Sequence, residues 1–261
     1  MLRTALFLAL AATAAVAPAT AAQPREPDAP TAILVHGAFA DGASWDKVVP
    51  ILRNWGMRAV AVHEPLSSLS DDADTVRRAI RAAPGPVVLV GHSWGGSVIT
   101  EAGADPKVKA LVYVAAFAPD VGQNSAGQGQ GYPQPPGLSG LQEREGWLWL
   151  NEANVVRDFA PDLKPRQAQV LASLQAPIKA SAFAEPATQA AWRGKPSWYV
   201  IARNDRMLSP QLQADTARRI GAQTRIVDAG HAVPLARPRE VALAILEAAG
   251  IPTQDPAHSG G

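Results

Sequence analysis

Six short apolar runs, separated by amphipathic stretches, constrain this chain more than any other feature. The runs are 32–35, 58–62, 87–90, 110–114, 198–202 and 225–227, and they are rich in Val, Ile and Ala on successive residues. Continuous rather than alternating apolar character predicts strands buried on both faces of a parallel sheet. Between them, 44–55 sets Val48, Ile51, Leu52 and Trp55 on one stripe. The stretch 72–82 opens with acidic residues and carries Val76 and Ile80; 94–104, 211–220 and 240–249 follow the same helical rule. Strand–helix–strand alternation implies an α/β fold, a mostly parallel sheet of about six strands with helices on both faces. Right-handed crossovers then bring every strand C-terminus to one edge, where ligands bind.

One segment breaks the rhythm. From Pro119 to Pro196 no sheet strand is expected. Residues 122–140, GQNSAGQGQGYPQPPGLSG, read as a loop, and a helical zone containing Trp147, Trp149, Phe159 and Phe183 follows. An insertion of that length in an alternating chain is a lid or an unstructured loop, and its aromatic content favours a packed helical cap over the active edge.

The remaining composition serves mainly to exclude. The chain has 261 residues, 24 Lys+Arg against 23 Asp+Glu, and no Cys. A balanced charge gathers no nucleic acid. Without cysteine there is no disulfide, thiolate metal site or Cys nucleophile. The expected plan is one domain over 31–250 and a flexible tail over 251–261. Residues 1–22 read as a signal peptide: Arg3, an apolar run from Ala5 to Ala17, and Ala19-Thr20-Ala21 as a small-x-small site. The run is too short and too rich in Ala for a membrane anchor. Cleavage is expected near Ala21/Ala22, giving an exported protein, periplasmic or secreted.

The run 87–90 leads into Gly91-His92-Ser93-Trp94-Gly95-Gly96, and a helix opens directly after it. This is G-x-S-x-G in strand–turn–helix context, where a strained turn lifts a nucleophilic serine, Ser93, above the sheet. By composition alone the pattern arises about 0.1 times in a chain this long. Its flanks, not the pattern, give it weight. Glycines at 91 and 95 remove the Cβ atoms that would collide where strand and helix converge.

Around these residues the sequence resembles the α/β-hydrolase superfamily. Within it the likeness is to small serine esterases grouped with plant methylesterases and hydroxynitrile lyases, and to their bacterial relatives. It is strongest at Leu34-Val35-His36-Gly37-Ala38-Phe39 with Gly42 and Trp45, at 91–96, and over 198–235. The resemblance implies a catalytic triad. The backbone N–H groups of Ala38 and Trp94 would form the oxyanion hole. His231, in Asp228-Ala229-Gly230-His231, would be the base, with His36 bracing its loop and His92 pointing away by alternation. Asp205, at the family's position after the run 198–202, would be the acid that orients His231; Asp120 and Asp228 are the alternatives. Phe39, Phe117, Trp147 and Trp149 would line the substrate pocket. The implied substrate is a small to medium apolar carboxylic ester, cleaved without metal or organic cofactor. Lactone or amide cleavage uses the same constellation, and a catalytically silent ligand-binding module keeps the same shell. The family's lyases carry Lys directly after the catalytic His. Here Ala232 holds that place, which favours hydrolysis.

Overall fold

The computed structural model describes residues 29–253. The signal peptide read over 1–22, and the tail from 254 onward, lie outside the described residues. Six strands form one sheet: β1 (Thr31–Val35), β2 (Arg58–Ala61), β3 (Val87–His92), β4 (Val108–Val114), and, after a long excursion, two more. The excursion's own strands are β5 (Leu141–Arg144), β6 (Trp147–Leu150) and β7 (Ile178–Lys179). β8 (Ser197–Ala202) and β9 (Gln223–Val227) then complete the main sheet, whose order is β2-β1-β3-β4-β8-β9. All of its pairings are parallel.

The central strands are apolar on both sides because both sides are covered. Ile33, Val35, Leu89, Leu111, Tyr113 and Tyr199 pack into one core, while Ala32, Leu34, Val88, Val90, Val112 and Val200 pack into the other. This is strand alternation with each face buried. Helices α1 (Val48–Asn54) and, at the end of the chain, Pro238–Ala248 cover the second face. The first face is covered by α2 (Leu69–Ala82), α3 (Trp94–Ala102), the excursion and Pro210–Arg219. Ser68 caps α2 by accepting from Asp71 N–H, and Asp71 and Asp72 sit in its positive first turn.

The edges depart from the expectation of double burial. β9 is largely exposed, with Ile226 57% accessible, and Val60 on β2 is 42% accessible. Edge strands lie beyond the reach of the covering helices. Their apolar sequence alone could not reveal that position.

The excursion between β4 and β8 is also not purely helical. β5 and β6 form an antiparallel hairpin, Arg144 opposite Trp147 and Leu141 opposite Leu150, and β7 adds to β6. The two-residue turn is Glu145-Gly146, both left-handed (φ 54° and 81°), the geometry that matches strand twist in a tight hairpin. An all-apolar run such as Trp-Leu-Trp-Leu does not separate helix from strand by period. The turn signal was one glycine behind an atypical Glu. A π-helical turn (Val155–Phe159) and α4 (Pro165–Ser173) follow, which gives the helical part of the expected cap. No helix of the described residues is long and apolar enough to cross a membrane.

Candidate active site

The strand order reverses between β1 and β3, so the loops after these neighbours diverge and leave a crevice at their C-terminal ends. Ser93 stands in that crevice. It is the single residue between β3 and α3, with φ 52° and ψ −117°. Such a conformation is costly for a residue with a side chain and persists only where its neighbours enforce it. Here Ser93 N–H donates to the Val114 carbonyl (3.1 Å), and its own carbonyl accepts from Gly96 and Phe117 N–H (3.0 and 3.2 Å).

His231, in the loop after β9, lies on the same cavity wall as Ser93. Its Nδ1 is 2.7 Å from Asp205 Oδ2. A carboxylate in this contact accepts, so Nδ1 carries the proton and Nε2 is left as an acceptor. Asp205 takes three further hydrogen bonds. Met207 and Leu208 N–H donate to Oδ1 (2.7 and 3.0 Å), and Gln213 Nε2 donates to Oδ2 (2.8 Å). The acid is thereby aimed at the imidazole. No motif in the sequence marks Gln213. It sits on α5 (Pro210–Arg219), fully buried, and its Oε1 accepts from Ala202 N–H at the end of β8.

The other two acids face elsewhere. Asp120 is clasped by Arg193 (2.9 and 2.6 Å), which holds its carboxyl below the usual range. Asp228 is exposed and 3.2 Å from Arg203. His36 braces its loop: Nε2 is 2.8 Å from the Glu64 carboxylate and Nδ1 is 3.0 Å from the Gly37 carbonyl. Burial, the largest influence, opposes its charging, but the Glu64 contact and charge, the Gly37 carbonyl and Asp41 together outweigh it and raise the pKa.

His92 does not point away from the site. Its ring centroid is 4.8 Å from that of His231, and its Nε2–H donates to the His231 carbonyl (2.9 Å). Alternation fixes a side chain relative to its own strand. It does not describe the loop after β9, which folds over the elbow and meets His92 there. Burial drives the His92 pKa well below the ordinary value, and proximity to His231 adds to the effect, so this ring is neutral.

Behind the elbow, Trp94 is fully buried and its indole N–H donates to Asp72 Oδ2 (2.7 Å); Leu66 N–H donates to Oδ1 (2.9 Å). Burial raises the Asp72 pKa to about 7; the Trp94 bond opposes this, and the Glu64 charge adds to it. Below the unfolded value of 3.8 both states are protonated, and between there and about 7 only the folded state holds the proton. Stability from this group is therefore full at low pH and is lost as pH rises through about 7. The melting temperature of wild type relative to Asp72→Asn is expected to fall across that window and then level. Parallel melting curves from pH 4 to 8 would refute the assignment.

The cavity over Ser93 has a volume of about 290 Å³. Ala38, Phe39 and Phe117 line it from the body, and Leu148, Phe159 and Phe183 from the excursion. Among the described residues, no Asp, Glu, Lys or Arg lines it. Its lesser polar groups are already engaged: Ser125 with Ser97, and Tyr132 with Asp215. Trp147 and Trp149 are not on this wall. Trp147 lies under Lys179 Nζ at 5.6 Å, and Trp149 Nε1 donates to Gln142. Strand alternation in β6 puts Leu148 on the wall and its flanking tryptophans off it. Trp94 meets the elbow only through its backbone, since its side chain runs down to Asp72.

The profile of the alpha/beta hydrolase family matches residues 32–244. The chain belongs to that family. An alpha/beta hydrolase of Aspergillus novofumigatus is 31% identical over 244 residues, spanning 85% of this chain and 97% of the relative. A probable hydrolase of a Phoma species is 29% identical over 246 residues, spanning 85% and 99%. Among solved structures, a pyrethroid hydrolase of Sphingobium faniae superposes with a TM-score of 0.74 at 23% identity, covering 85% of this chain and 98% of that one. An alpha/beta hydrolase fold with a His–Asp pair beside a buried, strained serine supports enzymatic activity of serine-hydrolase type.

Proposed function

We propose that the protein is an exported esterase that cleaves small to medium apolar carboxylic esters through a Ser93–His231–Asp205 acyl-enzyme cycle. The observation that carries this reading is the 2.7 Å contact between His231 and Asp205 on the rim of an uncharged cavity that also holds Ser93. His231 Nε2 takes the Ser93 proton as Oγ attacks the ester carbonyl. The backbone N–H groups of Ala38 and Trp94 receive the oxyanion. The protonated imidazole then gives its proton to the departing alkoxide as the carbonyl–oxygen bond breaks. Water, deprotonated by the same nitrogen, attacks the acyl-serine; the acyl–Oγ bond breaks, the imidazolium returns its proton to Ser93, and the acid leaves. Asp205 orients the ring and stabilises its charged form. Export rests on the leader read at residues 1–22.

Substrate class follows from the wall. With no fixed cation among the described residues of the wall, an ionised substrate group would lose its hydration without replacement. p-Nitrophenyl acetate and butyrate are therefore expected to turn over, with kcat/KM at least about tenfold above that of an ester bearing a free carboxylate on its acyl chain. A fluorophosphonate should abolish turnover stoichiometrically and label Ser93. Absence of both turnover and label would instead favour a silent binding module. Preference for the carboxylate ester would overturn the substrate class, and cyanide release from a cyanohydrin would revive the lyase reading.

A further inference from the structure

Three consecutive residues of the loop carrying the base are each held by a partner from elsewhere in the chain. Gly230 N–H donates to the Asp162 carboxylate (2.6 Å), and Ala232 N–H donates to the Phe159 carbonyl (3.0 Å). Between them, the His231 carbonyl takes the bond from His92. The partners of Gly230 and Ala232 lie in one short stretch of the excursion, at the end of its π-helical turn. That stretch also packs the Phe159 ring edge-on to the His231 imidazole, with centroids 5.1 Å apart. It reaches the acid's loop as well. Buried Asp158 binds Arg206, the neighbour of Asp205, at 2.7 Å.

We propose that segment 158–162 is the positioning element of the base: Asp162 and the Phe159 carbonyl fix the backbone on either side of His231, so the imidazole is aligned only while the excursion is seated. The effect on turnover rests on the hydrolase reading above; the effect on the His231–Asp205 pair does not. A general docking contact could fall anywhere on the rim. These two fall on the residues flanking the base. Residues 230–232 are held at the backbone and Nδ1 is tied to Asp205, so these contacts together set where Nε2 points. A displacement of about 1 Å at such a group costs on the order of 100-fold in rate. The fit at this junction is close: a Cβ on Gly230 would stand 2.6 Å from Pro161 Cγ and 2.8 Å from Cδ.

The test uses Asp162→Ala, Asp162→Asn, Gly230→Ala and the double variant Gly230→Ala with Pro161→Ala in the full-length protein. Asp162 is exposed, so its substitution leaves the core intact. Two readouts are followed: kcat and KM on p-nitrophenyl acetate, and the low-field NMR proton of the His231–Asp205 bond, assigned by its loss in His231→Ala. Asp162→Ala should lower kcat about tenfold with KM within about twofold, and should shift or broaden the proton. Asp162→Asn keeps an acceptor oxygen and should retain most of both. Gly230→Ala should do more damage, and trimming Pro161 should relieve it. A wild-type kcat and an unmoved proton in Asp162→Ala and Gly230→Ala, even with a lowered melting temperature, would overturn the proposal. If the wild type neither turns over nor labels, the hydrolase reading fails, and the proton alone decides: displaced in Asp162→Ala it upholds the positioning contact, unmoved it ends it.

Discussion

Replacing His231 by Ala is expected to lower kcat by about 10⁴–10⁶-fold, because the members of the proposed triad act as a unit and losing one removes nearly the whole covalent route. Ser93→Ala should match it and should also abolish phosphonate labelling. Asp205→Asn should lose about 10⁴-fold. An amide can donate to Nδ1 and stabilise the wrong tautomer, and it cannot offer carboxylate oxygens to Met207, Leu208 and Gln213 together. Asp228→Asn and Asp120→Asn, whose carboxyls pair with arginines near the surface, should stay within about threefold of wild type. Steady-state kinetics on p-nitrophenyl butyrate decides among the acids. A loss in Asp228→Asn equal to that in Asp205→Asn would displace Asp205 from its role.

The second large effect concerns folding. Gly91→Ala should cost about 3–5 kcal/mol and lower the melting temperature by about 10 °C or more. A Cβ there would press on the Gly95 carbonyl oxygen and stand 2.6 Å from its carbon and 2.7 Å from Gly96 N. Those atoms are the backbone of the first turn of α3 and cannot rotate aside as a side chain would. Gly95 is confined in the same way by the Val35 and His36 carbonyls at 2.5 and 2.6 Å. The strand β1 thus presses on one side of the elbow while β3 presses on the other. Gly129→Ala is the control, since nothing lies within 4 Å of its added methyl. Thermal melts of the two variants test the contrast, and equal melting temperatures would mean the elbow can open without penalty.

What was legible in the sequence was what repeats locally. The central strands announce themselves because both their faces are covered, so every residue from Val87 to Val90 is apolar. The elbow is legible because its constraints fall within six residues. Choosing among Asp205, Asp120 and Asp228 was a different matter. Each follows a strand, so the choice of Asp205 rested on the family's position, and the 2.7 Å contact to an imidazole 26 residues beyond it is a relation no local pattern displays. Gln213 and Asp72 were invisible for a related reason: a Gln or Asp in a helical first turn looks like an ordinary solvated residue until the fold buries it against Asp205 or Trp94. The hairpin of the excursion failed on ambiguity, since Trp147–Leu150 satisfies both periods. The same ambiguity put two tryptophans on the cavity wall where Leu148 belongs.

In the proposed cycle, reacting groups and recognition surface come from different parts of the polypeptide. Ser93, Asp205 and His231 sit at the exits of β3, β8 and β9, whereas Tyr132, Leu138, Leu141, Leu148 and Phe183 reach the cavity from the stretch between β4 and β8. Natural drift in that stretch can therefore enlarge or narrow the chamber while the sheet keeps its register. The exception, on the positioning role proposed for them, is the handful of positions from 158 to 162, where a graft from a sister hydrolase that loses either hydrogen bond is expected to give a well-folded but slow catalyst.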